Sequence, residues 1–299
     1  MARFRSILLG VLIGTCLAMN GIPVYLDGEG EPLAAGRNRI LDAFQVLDEV
    51  PSGKEILDRA AKKFEAPDRV SLLKVFKWGT VSRTDAILTR HYDPKTGAEV
   101  RERKVQVILR EGEGLDDLVL DVAHELTHAI SSPDWDPYDP ALTPARYIQA
   151  SIEGEGGEVD AVSTECRVSL ELAQRFGTSA SRCGRYRAGT AGIERAKVMK
   201  DFYRVGRWQR EISQKLGGET ETFPLLSGEP PMLYSSTGNA PYPISLIREY
   251  EEITQIACDN SKKRLDLLSP TRGPASSPES GQAVIQQAVA KFLASRCRP

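Results

Sequence analysis

His124-Glu125-Leu126-Thr127-His128 brings together two of the chain's three histidines, with a carboxylate between them. On a helix, residues four apart share a face, so both imidazoles reach one metal ion from the same side. Glu125 sits one step round that helix and can reach a water on the ion. Two neutral nitrogen ligands and an adjacent carboxylate are what zinc-assisted hydrolysis needs. With three histidines in 299 residues, a chance hit on this pattern has odds on the order of a few per thousand.

The surrounding residues supply the helix. Leu115, Leu118, Val119, Val122, Ala123, Leu126 and Ile130 recur at helical spacing through the motif. Asp116 and Asp117 suit the first turn, where carboxylates oppose the positive end of the helix dipole. The histidines therefore stand on an amphipathic, half-buried helix, which makes a rigid platform for ligands.

These residues resemble the zinc metallopeptidases of the H-E-x-x-H superfamily, although Asp121 stands where the extended pattern usually has an uncharged residue. A catalytic zinc usually has three protein ligands and one open position. The metzincin continuation would place a third histidine at position 134, which is Asp134, and the remaining histidine, His91, lies upstream. The resemblance then implies a gluzincin-type third ligand, a carboxylate from a second helix. Downstream, Ser151-Ile-Glu153-Gly-Glu155-Gly-Gly-Glu158-Val-Asp160-Ala161 leads into a helical run ending at Phe176 and stopped by Gly177. Glu158 opens that helix, and its Glu-x-Asp-Ala string looks like the zinc-binding signature of small gluzincins. Glu158 is the expected third ligand, with Glu155 and Glu165 as alternatives. The thermolysin-type spacing is not followed, since Val162 occupies the place of its aspartate.

The resemblance implies a reaction. Zinc lowers the pKa of a bound water, and Glu125 accepts its proton as general base and passes it to the leaving amine. A further donor holds the oxyanion, with His91, Tyr147, Tyr203 and Tyr242 as candidates. Asp160 and Asp121 are candidates to accept the free ring N–H of a ligand histidine. Asp134, Asp136 and Asp139 do not match an EF-hand, so calcium is not expected.

The elements that must position these groups are also legible. Ala86 to Tyr92 reads as a strand, Asp93-Pro-Lys-Thr-Gly97 as a turn, and Val100 to Arg110 as the returning strand. Val105, Val107 and Leu109 alternate there with Lys104, Gln106 and Ile108. Such a hairpin would leave an edge over the cleft, and peptides commonly bind by adding to a sheet edge. Residues 131–140, rich in proline and aspartate, form a fixed loop. Residues 40–66 read as helix, with Ser52-Gly-Lys-Glu55 as a capping box. Residues 190–216 read as one long helix with a basic, solvated face. Residues 217–243 are loop-like, residues 244–268 helical, residues 269–281 a Ser/Pro linker, and residues 282–295 a last short helix.

At the N-terminus, Arg3 and Arg5 precede an apolar run from Ile7 to Met19, which suits a secretory signal better than a spanning helix. Cys16 adds a lipoprotein option. Four cysteines remain downstream, an even count that permits two disulfides in an exported chain with three possible connectivities, Cys166 with Cys183 and Cys258 with Cys297 among them. At 41% hydrophobic, 27% charged and net charge −2, the composition is globular and lacks the basic excess of a nucleic-acid binder.

The expected fold is mostly helical α+β, a zincin-like core with a small antiparallel sheet packed on the H-E-x-x-H helix. Residues 1–20 form a leader, 21–268 a gluzincin-like domain, 269–281 a linker and 282–299 a C-terminal helix. The expected activity is a zinc metallopeptidase holding one ion and acting on peptide or protein in the bacterial envelope or outside the cell. A membrane association would run through the leader. The alternatives are a non-catalytic zinc-binding envelope protein on the same core and a hydrolase of peptidoglycan cross-links.

Overall fold

The computed structural model describes residues 17–19, 22–24, 35–92, 99–132, 134–189, 192–235, 239–268 and 280–297. Of the expected leader, Leu17–Met19 (β1) lies within them, paired antiparallel with Ile22–Val24 (β2). The rest of the leader, the turn at 93–97 and nearly all of the Ser/Pro linker lie outside the described residues. Among the described residues no helix is long and apolar enough to cross a membrane.

Two helices open the described fold, α1 (Ala35–Asp48) and α2 (Pro51–Lys63). The single helix expected over 40–66 is split at Val50, which is extended because a following proline disfavours the helical region. Pro51 then starts the second helix, where its missing N–H costs nothing. Ser52 is therefore not a cap. Its backbone N–H and hydroxyl instead donate to the Glu171 carboxylate at 2.9 and 2.7 Å. A one-turn helix, α3 (Arg69–Leu72), is capped by Asp68, whose side chain accepts from the Ser71 N–H.

Three strands follow, β3 (Phe76–Gly79), β4 (Arg83–Tyr92) and β5 (Glu99–Arg110). The expected hairpin is present as β4 against β5, with Thr84 opposite Val107. β5 is central, and β3 pairs with its other edge in parallel, so the sheet is mixed rather than purely antiparallel. Four residues of Phe-Lys-Trp-Gly are too short to reveal that strand by alternation. β4 is an edge, and it lies beside the next helix.

That helix, α4 (Leu115–Ile130), carries the H-E-x-x-H motif. Its apolar stripe, including Leu118, Val122, Leu126 and Ala129, is buried with Val107 and Leu109 of β5 and with α1 and α2. Leu126 has no exposed surface, and truncating such a leucine costs about 2–5 kcal/mol. The intervening loop leads to α5 (Pro144–Glu153), capped by the Thr143 side chain. After it comes α6 (Glu158–Phe176), stopped by Gly177 at φ +71°. The core has two parts, and α6 serves both. Val168 and Leu172 join the first with α4 and the sheet, whereas Val159, Val162 and Cys166 join the second.

The second part is built by α5, α6 and the C-terminal elements. A short antiparallel pair, β6 (Arg187–Ala188) and β7 (Gly192–Ile193), precedes α7 (Arg195–Phe202) and α8 (Gln209–Leu216). The long helix expected over 190–216 is broken between α7 and α8. Tyr203, Val205 and Gly206 exchange backbone hydrogen bonds with Ser227 and Glu229 in place of helical ones. Gly206 adopts φ +56°, open to glycine at little cost. The last helices are α9 (Tyr242–Leu268) and α10 (Ser280–Arg296). Of the three connectivities open to four cysteines, the structure forms Cys166–Cys183 and Cys258–Cys297. Cys166–Cys183 ties α6 to its following loop, and Cys258–Cys297 ties the end of α10 to α9. The architecture is mostly helical α+β, as expected.

Candidate metal centre

His124 and His128 lie one turn apart on α4, with Nε2 atoms 3.2 Å from each other. Glu158, the first residue of α6, reaches them from the facing helix. Its Oε2 is 3.6 Å from His124 Nε2, and its Oε1 is 3.8 Å from His128 Nε2. The ligand atoms of the three all lie within 4.8 Å of one another, and this group could hold a metal ion. Burial is substantial but not complete, with 16–20% of each side chain exposed, so solvent can reach the group.

The far side of each imidazole is anchored. His124 Nδ1 lies 3.1 Å from Glu165 Oε2, and His128 Nδ1 lies 2.8 Å from the Gly156 carbonyl oxygen. A carbonyl can only accept, so His128 Nδ1 is the donor there, and Nε2 is the ring atom that faces Glu158. Anchoring of this kind fixes ring orientation at metal sites. Glu165, an alternative ligand by sequence, thus sits behind His124. Glu155 is exposed and outside the group. Asp160 and Asp121 do not touch the histidines: Asp160 accepts from the Gly156 N–H at 3.0 Å and from Arg195, and Asp121 accepts from Ser82.

The electrostatics favour a positive charge at the centre. Burial works against protonation of His124, but Glu158 and Glu165 outweigh it and hold that imidazole well above its usual pKa. Burial also opposes ionisation of Glu158, but His128, His124 and then the Tyr242 hydroxyl overcome it and hold the carboxyl below its usual range. Glu158 Oε2 is buried without a hydrogen-bond partner. Three potential donor atoms converge here, and a metal ion could take the place of the proton that the carboxylates otherwise draw onto His124.

Glu125 is buried on the same turn of α4, 6% exposed. Thr84 Oγ1 lies 2.8 Å from its Oε2 and 2.9 Å from its backbone carbonyl. Burial raises the Glu125 carboxyl above its usual pKa, against the opposing pull of His124 and His128. Of the four oxyanion-donor candidates, Tyr242 stands beside the group. It begins α9, packs edge-on to Phe202, and is held well above its usual pKa by burial and then by Glu158. Tyr203 donates to Glu153, and Tyr147 is held far above its usual pKa by burial and then by Glu249. The side chain of His91 lies outside the described residues.

Sequence reasoning passed over Thr84 and Gly156. Thr84 falls just before the strand expected from Ala86 to Tyr92, whereas β4 begins at Arg83. The run Gly154-Glu-Gly-Gly157 just before Glu158 was the available signal for the backbone carbonyl behind His128. The chain matches no protein family, no curated protein and no solved structure.

Proposed function

We propose that this protein is a zinc-dependent metallopeptidase. The observation that carries the reading is the convergence of His124, His128 and Glu158 with the Glu125 carboxylate beside them. Two nitrogens and one carboxylate oxygen are a catalytic zinc donor set. With one donor atom from each residue the separations all lie within 4.8 Å, against about 3.3 Å for donors around a tetrahedral zinc. When bound, zinc supplies Lewis acidity, acidifying water and polarising a carbonyl.

The chain's own residues do the rest. Glu125, with its raised pKa, accepts the proton of the attacking water and delivers it to the leaving nitrogen of the peptide. Thr84 fixes the carboxylate through its hydroxyl. The Tyr242 hydroxyl donates to the oxygen that gains charge as the scissile carbonyl is attacked. The exposed edge of β4 carries Thr84 and offers backbone groups to an extended substrate. Two disulfides favour an oxidising compartment, so the substrate is peptide or protein outside the cytoplasm.

The test is hydrolysis of a peptide library by the zinc-loaded wild type and by Glu125→Gln. General-base loss lowers rates by about 10²–10⁴-fold while zinc stays bound. Equal rates would refute the catalytic assignment. Zinc binding unaffected by His128→Ala would refute the site.

A further inference from the structure

The turn joining α5 to α6 contains three glycines in four residues, Gly154 to Gly157. Such backbone has little steric preference of its own, so the direction of the Gly156 carbonyl is set by what holds the turn. Two clamps do so. Asp160, on the first turn of α6, accepts the Gly156 N–H through Oδ2 at 3.0 Å. Arg195, the first residue of α7, donates from Nε to the other oxygen of Asp160 at 3.1 Å and from Nη2 to the Glu153 carbonyl at 2.9 Å. Arg195 thus grips both ends of the turn, and Asp160 passes that grip to the Gly156 peptide. The opposite side of the same residue meets His128, 2.8 Å from the carbonyl. The line runs Arg195, Asp160, Gly156, His128.

We infer that Asp160 and Arg195 are positioning residues for the metal centre, setting its affinity by holding the Gly156 carbonyl on His128 Nδ1 and so keeping His128 Nε2 free for the ion. The inference rests on the metal reading above. Neither residue touches the ligand group. Their side chains are 32% and 45% exposed, so substitution there leaves both cores intact. His124 is anchored separately by Glu165, and the effect of the brace falls on one ligand of three.

The test uses the full-length, disulfide-intact protein, with zinc affinity measured by competition against a chromophoric chelator. The variants are Asp160→Asn, Arg195→Ala, Arg195→Lys and His128→Ala. Loss of a partner behind a ligand histidine weakens metal binding about 10–100-fold. Arg195→Ala and Asp160→Asn are each expected to weaken zinc binding about 10-fold, with Arg195→Lys recovering part of the loss. Nitrogen-15 shifts of the His128 ring in metal-free protein provide a readout that general destabilisation does not move. Wild type shows the Nδ1–H tautomer, and both brace variants show a mixture. Zinc affinity and tautomer unchanged in both variants, with His128→Ala still losing the ion, overturn the brace alone. No zinc binding by wild type, or binding unaffected in His128→Ala, overturns the metal reading itself.

Discussion

Gly156 is where the backbone of one ligand-bearing segment presses on the other, and replacing it with alanine gives a cost that can be worked out. Its φ is +68°, and a Cβ there would stand 2.0 Å from the Ser131 Oγ and 2.1 Å from the Ser131 Cβ. The left-handed backbone costs an L-residue about 1–2 kcal/mol, and overpacking adds about 1–3 kcal/mol. Gly156→Ala is therefore expected to destabilise the fold by about 2–5 kcal/mol, the sum of those two penalties. Ser131→Gly removes the two closest atoms but leaves the backbone penalty and the Thr127 carbonyl oxygen at 3.0 Å, so in that background the alanine costs less, about 1–2 kcal/mol of it from the backbone. The assay is a double-mutant cycle by urea unfolding, with chelator present so that no ion contributes. A coupling of about 1–3 kcal/mol is expected. Strict additivity, or a cost for Gly156→Ala below about 0.5 kcal/mol, a surface-substitution value, would refute the close approach of this turn to the end of α4.

Other outcomes test the site and its supports. Thr84→Val keeps the shape but removes the hydroxyl on Glu125. Hydrogen bonds to charged groups contribute about 1.5–3 kcal/mol, so kcat should fall about 10–100-fold at constant KM, with Thr84→Ser restoring it. A drop confined to KM would count against this role. Zinc at a thousand times its dissociation constant should stabilise the wild type by about 4 kcal/mol. That gain should vanish with chelator or in His128→Ala, as seen by calorimetry, and a shift retained by the mutant would place the ion elsewhere. Opening Cys166–Cys183, which closes a 17-residue separation, should cost about 3 kcal/mol, and opening Cys258–Cys297, at 39 residues, about 4 kcal/mol. Unchanged denaturation midpoints for the paired alanine variants would contradict this.

The parts of the fold legible in sequence were those encoded locally. The spacing of Leu118, Val122 and Leu126 marks α4, Glu158 and Gly177 bracket the start and stop of α6, and the alternation around Val107 marks β5. What escaped depends on contacts distant in sequence. The break between α7 and α8 follows from hydrogen bonds to residues 227–229, and Ser52 is drawn from a capping role by Glu171. The three residues of the candidate metal group were legible because ligand chemistry admits few side-chain types. The groups behind them were not. A backbone carbonyl has no letter of its own, and Glu165 differs from a ligand only in which ring nitrogen it faces.

The division of the hydrophobic interior into two clusters has a mechanical consequence. Both histidines stand on a helix rooted in one cluster, while Glu158 begins in the other and Tyr242 flanks it there. An ion gripped by all three would work as a rivet across the seam between the two halves. Hinging that spread the halves would strain the rivet, and withdrawing it would slacken the seam. Durability and turnover would then share a single fastening.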